Sequence, residues 1–159
     1  MKIRTFEKSI QFEDPREKVF SFFCRAENLQ QITPPWLDFR ILTPLPIEMR
    51  LGTIIEYQLR LYSIPVRWQS KITAWDPPYM FEDTQVRGPY RRWVHKHFFE
   101  EHDGGTLMRD HVDYASPGWL LEPLVNRLFV GPNVAQIFNY REKCFADLFS
   151  ISGRSPSTA

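Results

Sequence analysis

The stretch Arg91-Arg92-Trp93-Val94-His95-Lys96-His97-Phe98-Phe99-Glu100 (RRWVHKHFFE, residues 91–100) decides how the chain is read. In an extended strand, side chains alternate between two faces. One face carries Trp93, His95, His97 and Phe99. The other carries Arg92, Val94, Lys96, Phe98 and Glu100. The second set is the more charged and is expected to face water. Two imidazoles are then left on the inner face, where each needs a hydrogen-bonding partner or a ligand.

The next residues supply a candidate partner. Asp103-Gly104-Gly105 is a hairpin signal, because both glycines tolerate the backbone angles of a tight turn. It joins the strand to another at 105–115. There Met108, Asp110, Val112 and Tyr114 share one face, and Leu107, Arg109, His111 and Asp113 share the more polar one. Asp110 is therefore expected to point inward, near His95 and His97.

Upstream the same period of two recurs. Over 53–62, Ile55, Tyr57, Leu59 and Leu61 alternate with Glu56, Gln58 and Arg60. Over 65–75, Val66, Trp68, Ser70 and Ile72 alternate with Arg67, Gln69 and Lys71. A further strand covers 79–86, with Phe81, Asp83 and Gln85 expected inward, and Gly88-Pro89 turns it. Residues 36–42 read as a short strand after the Pro34-Pro35 break, and 2–12 as the first strand. Between these lies a helix to about residue 24. Asp14 is its expected cap, Pro15 suits its first position, and Glu17 completes the signal.

After Pro117-Gly118 the period becomes helical: Leu120, Leu121, Leu124, Val125, Leu128 and Phe129, then Val134, Ile137, Phe138, Arg141, Phe145, Leu148 and Phe149. Gly131-Pro132 is expected to break or kink this helix, and 119–130 to pack on the sheet. Residues 151–159 (ISGRSPSTA) read as a flexible tail. One strand, one helix, six strands and a long helix make an α+β domain over residues 1–150, with a curved antiparallel sheet of about seven strands gripping the last helix.

Composition narrows the function classes. The 159 residues are 43% hydrophobic and 25% charged, which excludes a disordered chain. A net charge of +1 argues against a nucleic-acid partner. No apolar run is long enough for a signal peptide or a membrane span, so a cytoplasmic protein without stable membrane insertion is expected. Cys24 and Cys144 have no metal-ligand spacing and read as small buried thiols. Arg87, Arg91 and Arg92 around Gly88-Pro89-Tyr90 read as a solvated turn. Aromatics reach 15%, enough both to fill a core and to wall a cavity.

The order of elements resembles the START/polyketide cyclase-like (SRPBCC, Bet v 1-like) superfamily and its helix-grip fold. Ile32-Thr33-Pro34-Pro35-Trp36, Gly52-Thr53, Ile64-Pro65-Val66-Arg67-Trp68, Arg87-Gly88-Pro89-Tyr90 and Trp93-Val94-His95-Lys96-His97 resemble a bacterial ligand-binding or cyclase/dehydrase subgroup of it. The resemblance covers about residues 1–150. It implies a cavity between sheet and final helix for a small hydrophobic molecule, lipid-, quinone- or polyketide-like.

Four roles stay open for the inner-face residues. His95, His97 and Asp110 form a self-satisfied polar cluster in the core. Alternatively His95, His97, Gln85 and Tyr57 orient an apolar ligand, with Trp68, Trp93, Phe99 and Met108 as its walls and Tyr114 among the ligand-binding residues. As a cyclase or dehydratase, the chain would use the His/Asp pair to move protons. No nucleophile motif or phosphate loop accompanies them. A fourth role is metal binding, but His-x-His on a strand recurs by chance, so no metal or other cofactor is assigned. An interaction module with a cavity filled by its own aromatics is a further alternative.

Overall fold

The computed structural model describes residues 1–154. Strand β1 (Arg4–Phe12) leads into helix α1 (Arg16–Phe23). Two 3₁₀ turns follow, Ala26–Gln30 and Pro35–Leu37, and then β2 (Arg40–Ile41). An antiparallel meander comes next: β3 (Ile54–Leu61), β4 (Ile64–Asp76), β5 (Met80–Arg87), β6 (Arg92–His102) and β7 (Gly105–Ala115). Helical chain resumes with a 3₁₀ turn at Trp119–Leu121, α2 (Glu122–Val125), a π turn at Asn126–Val130 and α3 (Gly131–Leu148), before β8 (Ile151–Arg154). The sheet order is β2-β3-β4-β5-β6-β7-β1-β8, with every neighbouring pair antiparallel.

The α+β helix-grip architecture is as expected, and each of the five meander strands keeps its predicted inner face. Curvature has a local cause in β4. Its register with β5 shifts between Gln69 and Ser70 and again between Ile72 and Ala74. Each bulge adds twist, and the sheet bends around α3.

The helix is seated on one side of that sheet. Val134, Phe138 and Phe145 are its buried residues, spaced to fall on one face. Phe6 of β1 meets Phe138 with ring centroids 4.8 Å apart, and fully buried Phe12 meets Phe145 at 5.8 Å. Phe20 of α1 packs edge-on against Phe81 and Phe99. These contacts fill the space below β1 and the far ends of β6 and β7. The rest of the inner face, from β3 to the near parts of β6 and β7, walls a cavity.

Several local expectations are corrected. Residues 36–42 do not make one strand: Pro35–Leu37 is a 3₁₀ turn, and only Arg40 and Ile41 pair with β3. Asp38, in the left-handed region at φ 42°, ends any extended run there. Asp14 does not cap α1, because its carboxylate is taken by Lys18 and the cap residue is Pro15. Gly131-Pro132 does not break the helix. The π turn before it shifts the backbone register, and Pro132 falls in the first turn of α3, where a missing N–H costs least. Both cysteines are half-buried rather than buried. Residues 119–130 are largely exposed instead of packed on the sheet.

The predicted tail also differs. Ile151–Arg154 forms β8, pairing with β1 through Ile10, Gln11 and Phe12, so the sheet has eight strands. The rest of that tail, 155–159, lies outside the described residues.

Candidate functional site

Register places the polar residues of the inner face side by side. His97 of β6 pairs with Asp110 of β7 on one side and Phe81 of β5 on the other. His95 pairs with Asp83 of β5 and Val112 of β7. The result is two imidazoles between two carboxylates. His95 Nε2 lies 2.9 Å from Asp110 Oδ1, and His95 Nδ1 lies 3.7 Å from Asp83 Oδ2. His97 Nδ1 lies 2.9 Å from the same Asp110 oxygen, and His97 Nε2 lies 3.4 Å from Asp83 Oδ2. Both ring nitrogens of each histidine thus face a carboxylate. The His97 Nδ1 contact is an ion-pair approach rather than a directed hydrogen bond, because the N–H does not point along that line.

Asp83 is anchored from the other side. Ser70 Oγ donates to Asp83 Oδ1 at 3.3 Å and itself accepts from Trp68 Nε1 at 3.0 Å. The Tyr57 hydroxyl is 3.3 Å from the same Ser70 oxygen, and its ring stacks on Trp68 at 5.9 Å. Burial pushes the Tyr57 hydroxyl well up from its ordinary range, with Asp83 adding to the effect. Tyr57 therefore stays a neutral hydroxyl.

The charge states follow from burial and neighbours. Burial alone would raise both carboxyls, but contacts with His95 and His97 outweigh it, and Asp110 is held well below the usual carboxylate range. Asp83 is lowered in the same way by His97 and His95, with Ser70 helping. For His95, burial and then the charge of His97 win, and the ring is driven towards neutrality despite Asp110. For His97, burial is overridden by the two flanking carboxylates, and the ring holds its proton more firmly than usual. His97 also stacks on Phe81 at 4.1 Å, where an imidazolium gains from the ring face.

Arg141 of α3 completes the balance. It lines the same cavity, stands over the Phe138 ring at 5.1 Å, and carries a charge that burial opposes and Asp110 and Asp83 favour. With His97 protonated and His95 neutral, the states towards which their surroundings push them, two carboxylates, one imidazolium and one guanidinium sum to zero, which favours a buried ionic group. Its Nε is buried without a hydrogen-bond partner.

The cavity is about 160 Å³. Apolar walls come from Leu59 and Trp68 of β3 and β4, Phe81 of β5, Trp93 of β6, Met108 of β7, and Ile137 and Phe138 of α3. The wall includes Tyr57, Trp68, Trp93, His95, His97, Met108 and Asp110 of the residues anticipated from sequence. Three others stand elsewhere. Gln85 is occupied by the Tyr90 backbone, donating to its carbonyl at 2.7 Å and accepting from its N–H at 3.3 Å. Phe99 is buried in the packed core beside Phe20 and Phe23. Tyr114 packs with Phe6, Val112, Val134 and Phe138.

Asp83, Ser70 and Arg141 were not anticipated as site residues. Arg141 had a legible signal: it falls seven residues after Val134 and three after Phe138, on the buried face of α3. A charged residue at such a position needs buried partners.

Asp83, His95 and His97 each offer a ligand atom within 4.8 Å of the others, the arrangement a metal ion would need. A cation bound there would have to displace the proton that the two carboxylates favour on His97, so its binding would weaken in acid.

A family model described as polyketide cyclase/dehydrase and lipid transport matches residues 13–136. Solved structures with the same fold include protein Ms6760 from Mycobacterium smegmatis, at 18% identity and a TM-score of 0.66, covering 93% of this chain and 96% of that one. Protein CV1439 from Chromobacterium violaceum matches at 13% identity and a TM-score of 0.68, covering 92% and 97%. The major latex-like protein 151 from Panax ginseng matches at 10% identity and 0.65, again covering 92% and 97%. No curated protein matches the sequence. With the family model spanning most of the chain, and the sheet, gripped helix and cavity in place, the chain belongs to the polyketide cyclase/dehydrase and lipid transport family of the SRPBCC superfamily.

Proposed function

We propose that the protein binds a small, mostly apolar molecule in the cavity, with one neutral polar group, a hydroxyl, phenol or ketone, set against the His/Asp corner. The observation that carries this reading is the convergence of apolar walls on a buried polar corner where Arg141 Nε and His97 Nδ1 both lack a hydrogen-bond partner. The family's description, which names lipid transport, supports hydrophobic ligand binding in general.

Size and charge narrow the ligand class. A dry cavity of about 150 Å³ accommodates a single benzene-sized ring, close to the 160 Å³ here. A carboxylate ligand would bring an unbalanced negative charge beside Asp83 and Asp110, which a buried site penalises. A neutral oxygen can accept from Arg141 Nε at no such cost.

The test is intrinsic fluorescence of Trp68 and Trp93, which line the cavity, during titration with alkylphenols, aryl ketones and alkanoates of matched size. Saturable binding of the neutral compounds, tighter by tenfold or more than the alkanoates, is expected. Equal binding of both classes, or binding of neither, overturns the reading.

Proton transfer is a second reading, favoured by one observation. His95 is neutral, held through Nε2 by Asp110, and lines the cavity, so it has the state a general base needs. Solvent deuterium incorporation at the α-carbon of a bound ketone tests it. Exchange that disappears in His95→Gln supports the reading, and no exchange above buffer defeats it.

A further inference from the structure

We propose that residues 119–129, with the β3–β4 turn, dock on an anionic lipid bilayer. Large apolar side chains that belong in a core stand in the open here. Trp119 is 78% exposed, Leu120 86% and Leu121 64%, and Leu124, Leu128 and Phe129 are exposed beyond them. The β3–β4 turn extends the patch: Tyr62 and Ile64 are exposed, the Tyr62 hydroxyl donates to the Phe129 carbonyl at 2.8 Å, and the two rings meet edge-on at 5.6 Å. A contiguous apolar patch of this kind marks an interaction site. Trp119 also sits in the left-handed region, at φ 46°, immediately after Gly118 at φ 114°. A non-glycine residue holds that conformation only at a cost, and here it accompanies an outward-facing indole.

Charge identifies the occupant. In 116–131 the single carboxylate is Glu122, which is buried and bonded by Arg4 at 3.1 Å. The β3–β4 turn has none. Arg127 is exposed within the patch. Arg91 and Arg92 are exposed at the same end of the sheet, tied to the start of the segment through Ala115. Among the described residues none of these three arginines has an ion-pair partner. An apolar centre with an unpaired cationic rim complements a surface of acyl chains under anionic headgroups. It does not complement itself: a second copy would bring the same cationic rim and no carboxylate of the patch beyond the buried Glu122 to pair with it. No helix among the described residues is long and apolar enough to cross a membrane, so the contact is peripheral. Leu61 and Tyr90, which line the cavity, lie beside this surface, so a docked protein holds that end of the cavity towards lipid.

Co-sedimentation with phosphatidylcholine vesicles, with and without about 30% phosphatidylglycerol, tests the assignment. The full-length protein is expected to partition onto the anionic vesicles and to be released by salt. The double substitution Leu120→Ser, Leu121→Ser should lower partitioning at least about tenfold, and Arg127→Gln by about fivefold. All three side chains are exposed, so folding is preserved, as a circular dichroism melt verifies. Equal partitioning onto both vesicle types, none onto either, or unchanged partitioning of the double variant overturns the proposal. So does self-association in sedimentation that the same double substitution abolishes.

Discussion

His95 and His97 stack on one another with ring centroids 3.8 Å apart and planes tilted by 39°. Two imidazolium ions at that separation in a buried site repel strongly, so the pair divides its titration. His97 keeps its proton between Asp83 and Asp110, and His95 gives its proton up. Two-dimensional ¹⁵N NMR of the imidazoles at pH 7 should show one charged and one neutral ring. Two neutral rings would contradict the arrangement.

The two histidines tilt stability in opposite directions with pH. His97 is raised in the folded state, so it contributes stability below the unfolded pKa of about 6.5 and loses it as pH rises through the folded value. His95 is lowered, so folding weakens as pH drops from about 6.5 towards its folded value, because the unfolded chain takes up a proton the folded ring refuses. Denaturant midpoints measured across pH should therefore fall on both sides of that value. His97→Gln should flatten the alkaline limb and His95→Gln the acidic one.

Asp110 connects both rings to β7. Asp110→Asn removes the charge that pairs with both histidines and favours the Arg141 guanidinium at longer range, and should destabilise by about 3 kcal/mol or more near neutral pH. Its lowered folded pKa means that the stability it contributes is present above the ordinary carboxylate range and is lost as pH falls through the folded value. The difference between variant and wild type should therefore shrink in acid. A constant difference down to the acid transition would show that the cost is packing alone.

Arg141 balances the corner from the helix. In Arg141→Met two carboxylates face one imidazolium, and His95 should take up the second proton, so its pKa should rise by NMR titration. The neutral-ligand preference should weaken in the same variant. An unmoved His95 would mean that Arg141 does not share the charge balance.

Phe99 and Gly105 are structural positions away from the cavity wall. Phe99 is 1% exposed in the packed core, so Phe99→Ala should cost about 3–5 kcal/mol, while phenol affinity measured below the melting transition stays within about twofold of wild type. A Cβ at Gly105 would stand 2.0 Å from the Phe12 carbonyl, so Gly105→Ala must push β1 away from β7. About 2 kcal/mol of lost stability in chemical denaturation is expected.

Alternation and turn chemistry were enough to read the meander, the inner faces of β3 to β7, and the meeting of His95, His97 and Asp110, because a strand's period of two assigns every side chain once one face is known to be buried. Local signals also overreached. The Asp14 cap gave way to a Lys18 ion pair, and the Gly131-Pro132 break was absorbed by a π turn. Gln85 and Phe99 share faces with cavity residues, yet one is spent on the Tyr90 backbone and the other is sealed by α1.

What the chain order alone determined was an antiparallel sheet presenting imidazoles and a carboxylate beneath a long helix. Only the folded arrangement decided that Asp83 and Arg141 join the polar corner, that a cavity remains between α3 and the inner face of β3 to β7, and that 119–129 stays in the open. The reason is distance in sequence. Hydrogen bonding and side-chain periodicity act between neighbours, whereas α3 meets the sheet across more than half the chain, and where it comes to rest depends on which rings, Phe6, Phe12 and Phe138 among them, fill the space first.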